Sequence, residues 1–250
     1  MTTSVEGQTA VVVGAGSGIG RATALLLAER GAHVVCVDRL EQVADTVAQA
    51  RDAGGSASAL IADVTEPATV VDAFARAAAE RGQLHAVVNT AGITGPQGRR
   101  SHEVDVAELD RTYAVNLRGA YVVSQEAVRH MLPHGYGRIA HVASIAGKEG
   151  NPGMIGYSTT KAGLIGMVKA QGKEYALDGI TVNALAPAVI QTPFLDDQPA
   201  ETLAYMAAKI PMGRFGTMQE AAELLAWMAS PACSFTTGFT FDLSGGRATY

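Results

Sequence analysis

The chain has 250 residues, 48% of them hydrophobic and 17% charged, with a formal net charge of −5. This apolar content is enough for a large core, and the acidic balance leaves no polybasic footprint, so nucleic acid is not an expected partner. Cys36 and Cys233 lie too far apart for a metal pattern or a disulfide framework, no run approaches the roughly 18 apolar residues of a membrane span, and the start MTTSVEGQ carries no basic leader, so a soluble protein of a reducing cytoplasm is expected.

Thr9 to Val13 is a short, apolar, β-branched run and reads as a buried parallel strand. It leads into GAGSGIG, where Gly14, Gly18 and Gly20 let the backbone turn tightly and approach a pyrophosphate, with Ser17 and Ile19 in the same loop. The helix predicted for Arg21 to Arg30 points its N-terminus at those phosphates. The spacing G-x-x-x-G-x-G is not the literal dinucleotide fingerprint, so the strand before and the helix after carry the reading.

A second strand, His33 to Val37, ends in Asp38, 18 residues past Gly20, the place for an acid that binds a ribose 2′-hydroxyl. A carboxylate there repels a 2′-phosphate, so NAD is expected ahead of NADP. Arg39 can turn toward a phosphate, stack on adenine or face solvent. A helix over Leu40 to Ala53, a strand over Ser58 to Ala62 running into Asp63 and Val64, and a helix from Pro67 to Arg81 follow.

The fourth strand, His85 to Val88, ends in Asn89-Thr90-Ala91-Gly92, small residues that let the chain pass close under a bound cofactor. After a loop at 93 to 102, one long helix is predicted from Glu103 to Met131 with Asn116 in its middle. That amide is either a solvent-facing or capping residue or a kink that holds water near Lys161, and the pattern does not separate the two.

The apolar run Ile139 to Ala143 delivers Ser144 to the edge of the sheet. Beyond a Gly/Pro-rich loop, a helix from about Gly156 to Tyr175 puts Tyr157 and Lys161 on one face, about 6 Å apart along its axis. A phenol titrating near 10 is a poor base, and a fixed cation beside it favours phenolate, which makes the tyrosine a proton shuttle. Tyr and Lys at this spacing are common on any helix, so the serine at its own strand end supplies the weight.

A sixth strand, Ile180 to Leu185, precedes Pro187. Residues 191 to 216, with Pro193, Pro199 and Pro211, read as a lid carrying a short helix over Glu201 to Ala208. A helix over Met218 to Ala229, a strand over Phe239 to Leu243 and the tail SGGRATY complete the chain. The alternation predicts an α/β fold, a Rossmann-type doubly wound parallel sheet of about seven strands with helices on both faces, in one domain spanning 1 to 250. Gly14, Asp38, Asp63, Asn89, Ser144 and Pro187 all fall at carboxyl ends of strands, where such sheets bind ligands. The six histidines support no metal site.

These motifs together resemble the short-chain dehydrogenase/reductase family over essentially the whole chain. Gly14, Gly18 and Gly20 match its glycine loop, although Val13 stands where a loop-bracing Thr is usual. Asn89, Ala91 and Gly92 match its N-N-A-G element with Thr90 in the second place, and Asn116, Ser144, Tyr157 and Lys161 match its catalytic tetrad. Pro187 to Thr192 matches P-G-x-x-x-T with Ala188 in place of Gly.

The resemblance implies Tyr157 as general acid/base, Ser144 polarising the substrate oxygen, Lys161 lowering the tyrosine pKa and holding the nicotinamide ribose, and Asn116 anchoring a relay water. It implies Asp63 and Val64 at the adenine, Asn89 and Ala91 along the cofactor, Ile190 and Thr192 at the carboxamide, and a homotetramer built on the two long helices. Within the family, SIAGKEGNPGMIGYSTTKAG and FDLSGGRATY look most like dehydrogenases of 2-keto-3-deoxy sugar acids. Lys148 and Arg247 are candidates for a substrate carboxylate, or else surface cations. Two alternatives stand beside this reading: a 3-oxoacyl-[acyl-carrier-protein] reductase using NADPH, and a non-catalytic NAD-binding regulator.

Overall fold

The computed structural model describes residues 4–192, 195, 199–248 and 250. Strands and helices alternate through the first half: β1 (Thr9–Val13), α1 (Gly18–Glu29), β2 (His33–Asp38), α2 (Val43–Asp52), β3 (Ser56–Ile61), α3 (Pro67–Arg81) and β4 (Ala86–Asn89). Next come α4 (Val106–Tyr113) and α5 (Ala120–Met131), joined by a π-helical turn over Ala114–Gly119, then β5 (Gly137–Val142), α6 (Ala146–Glu149) and α7 (Ile155–Glu174). The last third holds β6 (Ile180–Pro187), β7 (Ile190–Gln191), α8 (Ala200–Ala208), β8 (Gly216–Thr217), α9 (Met218–Met228) and β9 (Thr240–Leu243).

Seven strands form one parallel sheet in the order β3-β2-β1-β4-β5-β6-β9. The order reverses between β1 and β4, so the chain leaves those two strands toward opposite faces and a crevice opens at their carboxyl ends. Side chains alternate across the sheet: Val11 and Val13 pack with Phe74, Val123 and Leu164 on one face, while Val12 packs with Leu27 and Leu225 on the other. Both faces are covered, which is why the strands read as unbroken apolar runs rather than alternating ones. Pro67 sits in the first turn of α3, and Gly82, with φ 79°, ends it in the left-handed conformation.

Three expectations are revised. The predicted single helix from Glu103 to Met131 starts with a 3-10 turn at Ser101–Glu103 and is interrupted at Asn116, where the π turn inserts an extra residue into the ladder. The helix expected from Leu40 begins at Val43, because the Leu40 N–H is drawn to Asp38 Oδ1 at 3.1 Å. The loop between Ser144 and Tyr157 contains α6. Of the predicted lid, the two ends are tied by β7 and β8, with Ile190 opposite Gly216, while Pro193 lies outside the described residues, as does Thr249 of the tail. Among the described residues no helix is long and apolar enough to cross a membrane.

Candidate active site

The crevice is a cleft of about 660 Å³, bounded by the glycine loop with Ser17 and Ile19, and by Asp38, Asp63, Val64, Ala91, Gly92 and Thr192. The loop glycines do different things. A Cβ on Gly14 (φ +83°) would lie 2.5 Å from Thr90 Oγ1, and one on Gly20 only 2.1 Å from Gly14 O, so these two answer to internal packing. Gly18 (φ +54°) has open space on its Cβ side and starts α1 at the cleft wall. The N-cap Ser17 makes no side-chain cap and the first turn holds no acid, so its N–H groups are available to an anion, as a pyrophosphate requires. Val13 offers no hydroxyl to brace the loop, but Thr90 Oγ1 donates to Val13 O at 2.9 Å, and Thr46 Oγ1 to Ala15 O at 2.8 Å. Thr90 stood in the sequence only as a departure from a motif.

Asp38 is aimed by the loop it faces: its Oδ2 accepts from Gly16 N at 2.9 Å. A carboxylate held at the cleft wall suits a ribose diol and opposes a phosphate. Asp63 is pushed up by burial, but the N–H and hydroxyl of Thr65 and the charge of Arg39 outweigh that and hold it below the usual carboxylate range. Asn89, Pro187 and Ile190 support the cleft from behind. Asn89 is buried, its Oδ1 accepting from Ala91 N at 3.2 Å; Pro187 O accepts from Ile145 N at 3.0 Å; Ile190 is buried in the short β7 pair. Among the described residues no non-glycine has positive φ, so Ala188 fits its position without strain.

Beside the cleft residues Gly92, Ile93 and Val142 four side chains gather. Lys161, 3% exposed, donates to Val142 O at 2.7 Å, and its Nζ lies 5.6 Å from the Tyr157 ring centre. Ser144 Oγ accepts from Ala146 N at 3.1 Å, and Ser144 also hydrogen-bonds the Tyr157 hydroxyl. Asn116, 1% exposed, accepts from Ile93 N at 2.8 Å and donates to Ile93 O at 2.8 Å and Thr160 Oγ1 at 3.2 Å. Both of its amide hydrogens are therefore committed to pinning the 93 to 102 loop onto α7. A Cβ on Gly92 would sit 3.3 Å from both Asn116 Oδ1 and Lys161 Nζ, so that glycine lets the chain pass over the junction.

Burial governs the titration here. It pushes the Tyr157 phenol up, with the Ser144 hydrogen bond pulling back, and it brings Lys161 down to about 8. The lysine expected to acidify the phenol is itself poised to lose its charge. Such a pair can take a proton from, or return it to, an oxygen held between Ser144 and Tyr157. Among the described residues no cluster of His, Cys, Asp and Glu could hold a metal ion.

Lys148 and Arg247 are neither free nor on the open surface. Lys148 Nζ pairs with Asp242 at 3.0 Å and Arg247 with Glu149 at 2.6 Å, their side chains 8% and 12% exposed. Tyr250 donates to Lys148 O, and its ring covers the Lys148 ammonium. The tail is thus clasped onto α6. Helix α6 lies against α7 at Gly147, where a Cβ would be 2.6 Å from the Lys161 carbonyl carbon.

A family model described as enoyl-(acyl carrier protein) reductase matches residues 14–248. The chain is 41% identical over 244 residues to a 2-dehydro-3-deoxy-L-rhamnonate dehydrogenase (NAD(+)) of Sphingomonas sp. (strain SKA58), covering 98% of this chain and 96% of that one. It is 43% identical over 237 residues to a cis-4-hydroxycyclohexanecarboxylate dehydrogenase of Sinomonas cyclohexanicum, covering 95% of each. The crystal structure of an NAD+-bound xylitol dehydrogenase superposes with a TM-score of 0.92 at 28% identity, covering 96% of this chain and 99% of that one.

Proposed function

The chain belongs to the short-chain dehydrogenase/reductase family, oxidoreductases of CH–OH groups, and from that premise we propose that it oxidises the secondary alcohol of a hydroxy acid or 2-keto-3-deoxy sugar acid with NAD. One juxtaposition carries the reading: a single cleft leads from the Asp38 carboxylate to Val142, whose carbonyl holds Lys161. Both named relatives act on molecules bearing a carboxylate and an alcohol, which supports the substrate class.

The bound cofactor supplies the hydride acceptor. Ser144 holds the substrate oxygen, Tyr157 removes its proton, and Lys161 exchanges that proton onward while meeting the cofactor's ribose. Asn116 keeps the loop at Ile93 against α7, so the substrate side of the cleft keeps its shape. Gly14, Ser17, Gly18, Ile19 and Gly20 hold the pyrophosphate, and Asp38 the adenosine ribose. Asp63 and Val64 flank adenine, Asn89, Ala91 and Gly92 form the cofactor floor, and Pro187, Ile190 and Thr192 border the carboxamide. Lys148 and Arg247 are both ion-paired, with Asp242 and Glu149, which leaves neither as a free cation for a substrate carboxylate. Cytoplasmic residence is supported by the buried free thiols Cys36 and Cys233.

Purified protein should reduce NAD with a panel of hydroxy and deoxy-sugar acids. Tyr157→Phe should lower kcat by about 10²–10⁴-fold while NAD still binds; normal turnover by this variant would refute the mechanism. Preference for NADPH by a large factor would move the assignment to an acyl-thioester reductase, and tight NAD binding without turnover across the panel would indicate a regulator. A homotetramer is proposed from the exposed apolar side chains Val106, Tyr113 and Tyr121 on α4 and α5 and Phe235 and Phe239 beside the edge strand β9. Light scattering should return four times 25.8 kDa.

A further inference from the structure

His141 is buried at the centre of the sheet, and nothing in the proposed chemistry uses it. It lies on β5 opposite Asn89 of β4. Its Nδ1 is 3.3 Å from Asn89 Nδ2 and its Nε2 is 2.7 Å from Ser124 Oγ on α5. The polar chain therefore runs Ser124, His141, Asn89, and on to Ala91 N, at 3.2 Å from Asn89 Oδ1.

The partners fix the tautomer of the ring. Asn89 Oδ1 accepts from Ala91, so its NH₂ faces the imidazole and Nδ1 must accept. The proton then resides on Nε2 and goes to Ser124. The ring must be neutral for this, and burial together with the nearby Lys161 brings its pKa down to about 3. The next residue, Val142, carries the carbonyl that holds Lys161, so this stretch of β5 serves both sides of the cleft. A polar chain in a dry core is costly unless its members are paired, and here the chain of pairings ends at Ala91 N, on the turn lining the cleft.

We propose that His141 is a positioning residue for the cofactor, locking the Asn89 amide and through it the Ala91–Gly92 turn on which the nicotinamide half rests. This rests on the NAD-binding reading above. His141→Leu removes the acceptor and leaves the Asn89 NH₂ unpaired in the core, so the turn is free to reorient.

The test is NAD affinity by calorimetry, with circular dichroism confirming that each variant is folded. His141→Leu should weaken NAD by about tenfold, the equivalent of about 1.4 kcal/mol, with kcat at saturating NAD within about threefold of the unmodified protein. His141→Gln, whose amide can accept from Asn89 and donate to Ser124, should recover most of the affinity. If His141 acts through Asn89, the double variant with Asn89→Ala should bind NAD no more weakly than Asn89→Ala alone. Unchanged NAD affinity in His141→Leu, or losses that add in the double variant, would overturn the proposal. If His141→Leu does not fold, Ser124→Ala carries the test, with weaker NAD binding expected and unchanged binding overturning it. Failure of the unmodified protein to bind NAD at all would instead refute the assigned function.

Discussion

Lys161 and Tyr157 sit where two requirements conflict. A proton shuttle needs groups that change charge near neutrality, and a closed hydride-transfer site needs water kept out. Burial moves both groups in the direction of their uncharged forms, the phenol up and the ammonium down to about 8. In the proposed mechanism alcohol oxidation uses Tyr157 as phenolate, so its kcat/KM should rise about tenfold per pH unit between about pH 7 and about pH 9, while reduction of the matching ketone, which uses the neutral phenol, should stay flat. A pH–rate profile for oxidation flat over that range would mean the phenol is not the titrating base. Asp38 shows the other way of setting a group: the Gly16 N–H fixes its direction and leaves it facing the cleft.

Among the elements, α6 does the least conspicuous and most constrained work. It is four residues long, carries Lys148 and Glu149 to the tail's ion pairs, and rests on α7 through Gly147. Gly147→Ala places a methyl 2.6 Å from the Lys161 backbone, and that backbone cannot retreat without moving Nζ from Val142. Its kcat should fall at least about tenfold, the effect of a small displacement of a catalytic group, while NAD affinity stays near normal; steady-state kinetics beside calorimetry would separate the two. The π turn at Asn116 has the same character, a local departure from regular helix that puts an amide in reach of both the Ile93 loop and Thr160.

For the molecule as a whole, the site lowers stability. Lys161 titrates near 10.5 in the unfolded chain and about 8 in the folded one, so between those values the unfolded state binds more protons and stability rises with pH. Relative to Lys161→Met, the unmodified protein should therefore gain stability from about pH 8 to about pH 10.5, by on the order of 3 kcal/mol, and lose it again as pH falls. Urea unfolding of both proteins across that range measures it, and parallel curves would count against a charged-state penalty at Lys161. By itself the sequence determined the sheet, its alternation, the glycine loop, Asp38 and the Ser144, Tyr157, Lys161 spacing, because fully buried strands are apolar runs and helix periodicity is local. Only the tertiary structure decided that Thr90 braces the loop, that Asn116 spends its amide on Ile93 and Thr160, that His141 stands behind Asn89, and that Lys148 and Arg247 are neutralised by Asp242 and Glu149. Each of these pairs joins residues 23 or more apart in the chain, from 23 between Asn116 and Ile93 to 98 between Arg247 and Glu149, and no periodicity links positions so distant. Strand order brings them together, and a buried polar group takes whichever partner the packing leaves within reach.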